Sequence, residues 1–160
     1  MKQREINLRK IGADDWRLWR KLRLEALEEA PYAFGSTLAD WQGQGDTEAR
    51  WRSRLLDVPL NVVAEWQGTA AGMASGTALA PDGSIELISM WVAAFARGHG
   101  VGDSLVNAVT EWAREQQASS VALAVFGDNE RAVALYRRHG FIDVKAGSST
   151  TAERKMVRLL

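Results

Sequence analysis

The chain has 160 residues, no cysteine, and equal numbers of basic and acidic residues, with 20 of each. A chain of this length can bury one sizeable core, so we expect a single domain over residues 1–160. The charge balance argues against nucleic acid as a partner, because a neutral chain has no general field that attracts a polyanion. The lack of cysteine excludes disulfides, thiolate metal ligands and a cysteinyl covalent intermediate.

Membrane and metal partners are not expected either. Residues 1–5 lack the apolar segment of a signal peptide, and no apolar run in the chain is long enough to span a bilayer. We therefore expect a cytoplasmic protein with no membrane partner. His99 and His139 are the only histidines, and the carboxylates form no tight cluster, so we expect no dedicated metal site.

The N-terminal part of the chain predicts one strand followed by helices. Apolar residues between positions 6 and 11 indicate the strand. The next segment has helical spacing, can be capped by Asp14 or Asp15, and is expected to end before Pro31. A broken helical region then covers residues 37–56, interrupted by two glycines.

The remainder alternates strands and helices. The predicted strands span residues 62–66, 70–78, 85–92, 121–126, 141–144 and 153–159. One helix is expected to begin near Asp103, and another covers residues 129–139 and is closed by Gly140. The order is strand, two helices, three strands, helix, strand, helix and two strands. This order predicts an α/β fold with mainly antiparallel strands and one parallel contact, where the helix near Asp103 crosses between strands.

The most informative segment is residues 97–102, Arg-Gly-His-Gly-Val-Gly, which we call the glycine loop. Alternate glycines let backbone N–H groups turn inward together, and the following helix adds unpaired N–H groups and the positive end of its dipole. Arg97 adds a cation, so the loop is suited to bind a phosphate. The spacing fits neither a nucleotide-triphosphate loop nor a dinucleotide fingerprint, and a simple strand-to-helix turn is the alternative interpretation.

Two motifs in the second half of the chain resemble the Gcn5-related N-acetyltransferase (GNAT) family. The glycine loop matches the family's pyrophosphate motif at Arg97, Gly100 and Gly102, and residues 90–92 end a hydrophobic strand as in the family. A second family pattern recurs at six positions: Asn129, Ala132, Leu135, Tyr136, Gly140 and Phe141. The order of strands and helices matches as well. The resemblance therefore covers the whole chain and implies a GNAT-like mixed, mainly antiparallel central sheet flanked by helices.

The resemblance implies that acetyl-CoA binds as a co-substrate. In the family two central strands splay apart, so backbone groups of Met90, Trp91 and Val92 would hold the pantetheine arm, with the Val92 N–H as an oxyanion donor. The pyrophosphate would bind at the loop and the first helical turn, formed by Arg97, Gly98, His99, Gly100, Val101, Gly102, Asp103 and Ser104. Asn129 would hydrogen-bond the arm, and Tyr136 would protonate the departing thiolate. A helix cap at Asn129 and a core aromatic at Tyr136 are the alternatives.

Glu86 is the predicted general base for the attacking amine. Strict alternation along the strand would put its side chain on the same face as Met90 and Val92, facing the cleft. Some members of the family have a glutamate at this strand position. The alternative is an edge carboxylate that faces solvent or binds a cationic substrate. No cysteine is present for an acyl-enzyme, and the resemblance implies a ternary complex, so direct attack with both substrates bound is expected.

The acceptor pocket is the least defined part of the sequence. The resemblance implies that it lies between residues 32–41 and residues 145–151. Tyr32, Phe34 and Trp41 are candidate walls, with a core position as the alternative for Trp41. We expect a primary amine of a small molecule as the acceptor. A protein N-terminus or lysine, and a non-catalytic acyl-CoA sensor module, are the alternatives, and a homodimer is left open.

Overall fold

The strands and helices lie close to their predicted positions in the part of the chain that the computed structural model describes, which is residues 5–29, 38–126, 129–144 and 153–160. The strands are β1 (Ile6–Lys10), β2 (Leu60–Trp66), β3 (Thr69–Gly76), β4 (Ser84–Val92), β5 (Ser120–Phe126), β6 (Ile142–Asp143) and β7 (Glu153–Leu159). The α-helices are α1 (Trp16–Glu29), α2 (Glu48–Asp57), α3 (Val101–Glu115) and α4 (Glu130–Arg138). Short 3₁₀ turns lie at Ala13–Asp15, Ala39–Trp41, Gly43–Gly45 and Ala94–Ala96.

The strands form one sheet in the order β1-β2-β3-β4-β5-β7-β6. Neighbouring strands are antiparallel except β4 and β5, which run parallel. The parallel pair is connected through α3, the kind of crossover that two adjacent parallel strands require. The expected mixed, mainly antiparallel α/β fold is therefore confirmed.

Helices cover both faces of the sheet, and each face has its own core. On one face, which we call the α3 face, α3 and α4 pack around buried residues that include Leu87 and Val109. On the other, the α1/α2 face, α1 and α2 pack around residues that include Trp19, Trp51 and Met73. Side chains alternate between the two faces along a strand. The core in which a strand residue lies therefore identifies the face on which its side chain projects.

Local polar contacts set the helix starts of the first half. Thr47 caps α2, and its hydroxyl accepts a hydrogen bond from the Arg50 N–H at 3.2 Å. The entry to α1 differs from the expected cap, because the 3₁₀ turn Ala13–Asp15 comes first. In that turn the Asp15 carboxylate accepts a hydrogen bond from the Gly12 N–H at 3.1 Å. The carboxylate thus reaches back over the turn instead of capping the helix directly.

The described ranges contain neither a membrane-spanning helix nor a group of metal-ligating side chains. None of their helices is long and apolar enough to cross a membrane. Within the same ranges, no three histidine, aspartate or glutamate side chains are grouped so that they could hold a metal ion.

Candidate functional site

The sheet opens between β4 and β5. In the described part of the chain, residues 84–86 of β4 pair with residues 120–122 of β5, and the pairing goes no further. Beyond these residues β5 remains paired with β7 on its other side. The diverging strands, the glycine loop and α4 enclose a cavity of about 1000 Å³, which we call the cleft.

A β-bulge in β4 lies where the opening begins. On β3 the pairing advances by two residues, from Ser75 to Met73, while on β4 it advances by three, from Ile88 to Trp91. The bulge includes Ser89, whose φ of +56° lies in the left-handed region that non-glycine residues rarely adopt. The extra residue reverses the alternation of backbone and side chains beyond it.

The bulge turns the backbone at the end of β4 toward the opening. Before it, the Glu86 C=O accepts a hydrogen bond from the Thr77 N–H at 3.0 Å, on the β3 side. After it, the Ala93 N–H donates to the Ala71 C=O of β3 at 2.8 Å. Because successive backbone groups point to opposite sides, the Val92 N–H points away from β3. It therefore faces the side from which β5 has diverged.

The same bulge overturns the expected alternation of side chains. Ile85 and Leu87 lie in the core of the α3 face, and Met90 and Val92 pack against that core. Glu86 therefore projects to the α1/α2 face, opposite Met90 and Val92. It is exposed and is not among the residues that line the cleft. The strand does not aim this carboxylate at the cleft in the way that strict alternation predicted.

The glycine loop closes one end of the cleft with backbone. Gly98 and Gly100 have φ values of +81° and +89°, which a residue with a Cβ adopts only under strain. α3 begins at Val101, earlier than expected, so the loop runs directly into a first helical turn whose N–H groups have no intrahelical partner. Gly102 also allows close packing, because a Cβ there would lie 3.1 Å from the Leu135 side chain.

Only part of the predicted loop set faces the cleft. The residues of this set that line it are Arg97, Gly98, Gly100, Gly102 and Asp103. The His99 ring instead stacks on Trp66, with centroids 4.2 Å apart, and Val101 is buried in the core. The Ser104 N–H donates to the Gly100 C=O at 3.0 Å. His99 and Val101 can thus offer a ligand their backbone groups, whereas the Ser104 N–H is committed to the helix.

Arg97 connects the two sides of the cleft. Its Nε donates to the Val92 C=O at 3.0 Å, and its Nη2 forms an ion pair with Glu29, the last residue of α1. Glu29 also accepts a hydrogen bond from the Trp91 indole N–H at 3.2 Å and lines the cleft. The sequence analysis missed this carboxylate, because no local pattern links residues that lie 62 and 68 positions apart.

α4 contributes the two polar side chains that the second motif singled out. The Asn129 Oδ1 accepts a hydrogen bond from the Ala132 N–H at 3.2 Å, so Asn129 caps α4, and it also lines the cleft. Tyr136 is 6 % exposed, packs edge-on against Phe141, and lines the cleft as well. Burial raises the pKa of the Tyr136 hydroxyl well above its usual range. The phenol therefore keeps its proton at neutral pH.

Charged residues at the mouth of the cleft form a cluster around Asp103. Its carboxylate lies 3.0 Å from the Arg138 guanidinium and 2.7 Å from the His139 Nε2. Burial opposes ionisation of Asp103, but the hydrogen bonds from His139 and Arg138 outweigh it and hold the pKa of Asp103 below its usual range. Arg138 and Arg131 both line the cleft, and neither was singled out from the sequence.

Of the predicted acceptor walls, the structure describes Trp41 alone. Trp41 is 9 % exposed and packs against Trp51 in the core of the α1/α2 face, with ring centroids 4.4 Å apart. The core alternative therefore applies to Trp41, which does not line the cleft. Tyr32, Phe34 and residues 145–151 lie outside the described residues.

Comparisons with known proteins agree with this geometry. The model of the acetyltransferase (GNAT) family matches residues 17–141. The PaiA N-acetyltransferase of Thermoplasma acidophilum, in complex with coenzyme A, superposes with a TM-score of 0.77 at 14 % identity, over 98 % of this chain and 99 % of that one. The ribosomal-protein-alanine N-acetyltransferase of Brucella melitensis gives a TM-score of 0.68 at 25 % identity, over 96 % and 99 %. This chain belongs to the GNAT acetyltransferase family.

A curated relative matches over a shorter stretch. The uncharacterised N-acetyltransferase YobR of Bacillus subtilis (strain 168) is 38 % identical over 68 residues. The match covers 42 % of this chain and 28 % of that protein.

Proposed function

We propose that this single-domain protein transfers the acetyl group of acetyl-CoA to a primary amine of a small molecule, by direct attack while both substrates are bound. The observation that carries the proposal is the opening of the sheet beside the glycine loop. It leaves the Val92 N–H and the N–H groups of the first α3 turn facing one cavity, where a thioester and a pyrophosphate would satisfy them. Membership of the GNAT family supports the reaction class.

Backbone groups make most of the contacts with acetyl-CoA in this proposal. Met90 and Val92 pair with the amides of the pantetheine arm, while Trp91 makes no such pair, because its backbone groups point to β3 and its side chain lies in the α1/α2 core. The Asn129 side-chain amide donates to the arm, since its oxygen already caps α4. Loop and helix N–H groups bind the pyrophosphate, and Arg97 adds its charge after exchanging Glu29 for a phosphate oxygen.

Acetyl-CoA supplies an activated acyl group as a thioester when it is bound. The Val92 N–H donates a hydrogen bond to the thioester oxygen and stabilises the negative charge that develops there. The amine nitrogen forms the new bond to the acyl carbon with its lone pair, and the carbon–sulfur bond breaks. Tyr136 donates its proton to the sulfur, a role that a protonated, buried phenol beside the cleft suits.

The proton that the amine loses goes to a carboxylate, directly or through water. We keep Glu86 as the proposed base, and its position outside the cleft lining means that water must relay the proton. Glu29 is the second candidate, because it lines the cleft on the α1/α2 side and would be released when Arg97 turns to a phosphate.

A peptide N-terminus is the second candidate acceptor. The 25 % identity to a ribosomal-protein-alanine N-acetyltransferase, over nearly the full length of both chains, favours it. Turnover of an alanine-ending peptide in preference to free amines would replace the small-molecule proposal.

Ligand binding is measured first, and turnover second. A ligand that binds only the folded state raises the melting temperature, so acetyl-CoA and CoA should raise it, while ATP and NAD should not. Amines are then screened by CoA release, with Tyr136→Phe as the matched control that keeps CoA binding. Binding without turnover across a broad amine and peptide panel would favour a sensor module, and no binding would contradict the proposal.

A further inference from the structure

A partly buried arginine on α2, Arg54, contacts the three strands β2, β3 and β4 behind the cleft. The Arg54 Nη1 donates to Asn61 of β2 at 3.0 Å, and its Nη2 donates to the hydroxyls of Ser75 on β3 at 3.1 Å and Ser89 on β4 at 3.0 Å. Asn61 and Ser75 are themselves buried, and the Ser75 hydroxyl donates to the Asn61 Oδ1 at 2.7 Å. The guanidinium therefore holds the strands in a fixed lateral arrangement.

The charge of this partly buried guanidinium meets neutral acceptors. All three hydrogen-bond acceptors named above are neutral, and burial lowers the pKa of Arg54 to about 10, while the nearby charge of Asp57 opposes that shift. Arg54 thus stays charged at neutral pH, but at a cost that three neutral acceptors only partly offset.

One of the three acceptors lies at the bulge of β4. Ser89 has a φ of +56° and lines the cleft. A non-glycine residue in this conformation is strained and persists only when its surroundings hold it there. The Arg54 hydrogen bond is the contact that holds the Ser89 hydroxyl. The bulge in turn decides whether the Val92 N–H faces β3 or the cleft, because the reversal of alternation occurs there.

We propose that Arg54 is a positioning residue, which holds Ser89 and so fixes the β4 bulge that turns the Val92 N–H toward the reacting thioester. The inference rests on the proposed function. It assigns to a residue outside the cleft a part in orienting the oxyanion donor. Arg54 touches neither substrate in this arrangement and acts only through the strand.

The test uses variants at both ends of the Arg54–Ser89 hydrogen bond. Arg54→Met should lower kcat by about 10- to 100-fold, since loss of a well-placed oxyanion donor costs roughly 100- to 1000-fold and misalignment costs less. The dissociation constant for CoA, which lacks the thioester oxygen, should change less than threefold. Arg54→Lys keeps the charge but not the guanidinium fork, so it should fall between wild type and Arg54→Met.

Glycine at position 89 provides the decisive comparison. Ser89→Ala removes the hydroxyl but keeps the strain, and should lose kcat as Arg54→Met does. Ser89→Gly adopts a positive φ without strain, so its kcat should exceed that of Ser89→Ala by about tenfold, and Arg54→Met/Ser89→Gly should recover kcat relative to Arg54→Met. A general structural defect would not be rescued in this way. Equal kcat in Ser89→Ala and Ser89→Gly, or no recovery in the double variant, would overturn the inference.

A readout without turnover separates this inference from the proposed function. The amide resonance of ¹⁵N-labelled Val92 should shift in Ser89→Ala and return toward its wild-type position in Ser89→Gly. If wild-type protein binds no CoA but this pattern is seen, the acetyltransferase proposal fails and the link from Arg54 to the strand stands. If CoA binds and the Val92 resonance is the same in all variants, the inference fails alone. The Ser89 pair also decides the matter should Arg54→Met not fold.

Discussion

The two sides of the cleft offer a ligand different chemical groups. On the α3 face, the groups that the glycine loop and the start of α3 offer a ligand are mainly backbone N–H groups, and the side chains of Asn129, Tyr136 and the Asp103 cluster lie beside them. On the α1/α2 side the groups on offer are charged side chains brought together from distant parts of the chain, with Glu29 held by Arg97 and Trp91. A backbone donor depends on conformation and not on the identity of the side chain, whereas a carboxylate is lost by one substitution.

This difference suggests a division of labour. The backbone side suits a ligand that is always the same, since phosphate and thioester oxygens need only well-placed donors. The side-chain side suits a partner whose charge and shape must be recognised, because fixed charges discriminate between amines. The bulge at Ser89 belongs to both sides, since it is held by Arg54 from the α1/α2 side and orients backbone toward the cleft.

The largest expected effect concerns Tyr136, the residue of the α3 face that we propose as the general acid. Tyr136→Phe should lower kcat by roughly 100-fold or more, the usual contribution of a general acid, while CoA affinity changes little. Rates of CoA release and the dissociation constant for CoA, measured on the same preparation, test this. A kcat within threefold of wild type would mean that Tyr136 is only a core aromatic.

A second substitution tests whether the backbone side depends on the absence of a side chain. Gly102→Val should weaken CoA binding by about tenfold or more, because its Cβ would lie 3.1 Å from Leu135 and 3.6 Å from Met90, both in the cleft lining. Calorimetric titration with CoA measures the loss. Gly102→Ala is the matched control, since the flexible end of Leu135 can yield to a single methyl group. Equal affinities in the two variants would show that the loop does not contact the ligand closely.

The fold and the glycine loop of the cleft could be predicted from the sequence. Hydrophobic periodicity and turn residues predicted each strand and helix, since these signals are local. The glycine loop was recognisable because Gly98 and Gly100 occupy positive φ values that leave few other residues acceptable. The cap that Asn129 forms on α4 was likewise predictable, since capping is also a local interaction.

The α1/α2 side of the cleft was harder to predict from the sequence, because its contacts join residues that are far apart in the chain. The Arg54–Ser89 hydrogen bond spans 35 positions and the Glu29–Arg97 ion pair spans 68. A serine at positive φ gives no signal of the kind that a glycine gives, so the bulge went unnoticed and Glu86 was assigned to the wrong face of the sheet. A tryptophan such as Trp41 fits a pocket wall and a core equally well, so the residue type alone did not predict its place.

A third, smaller effect distinguishes Glu29 from Glu86 as the carboxylate that binds the amine. Glu29→Gln should raise KM for a cationic amine by about tenfold, because the side chain lies in the cleft, whereas Glu86→Gln should act mainly on kcat if it relays a proton through water. Steady-state kinetics with one amine across a pH series separates the two. If Glu29→Gln leaves KM unchanged, the ion pair with Arg97 is structural only.

The smallest expected effect is a change in the free energy of unfolding at low pH, caused by Asp46 on the α1/α2 face. Hydrogen bonds from Arg20 and Trp51 lower the pKa of Asp46 from 3.8 to about 2 in the folded protein. A depressed folded pKa gives stability that is present above the unfolded pKa and is lost as pH falls toward the folded one. Asp46→Asn should therefore cost about 1 kcal/mol at pH 7, and the difference should shrink between about pH 4 and pH 2. Asp14→Asn, which breaks an exposed pair with Arg52, should cost less at pH 7. Equal costs of the two variants in urea unfolding at pH 7 would mean that the Asp46 contacts add nothing.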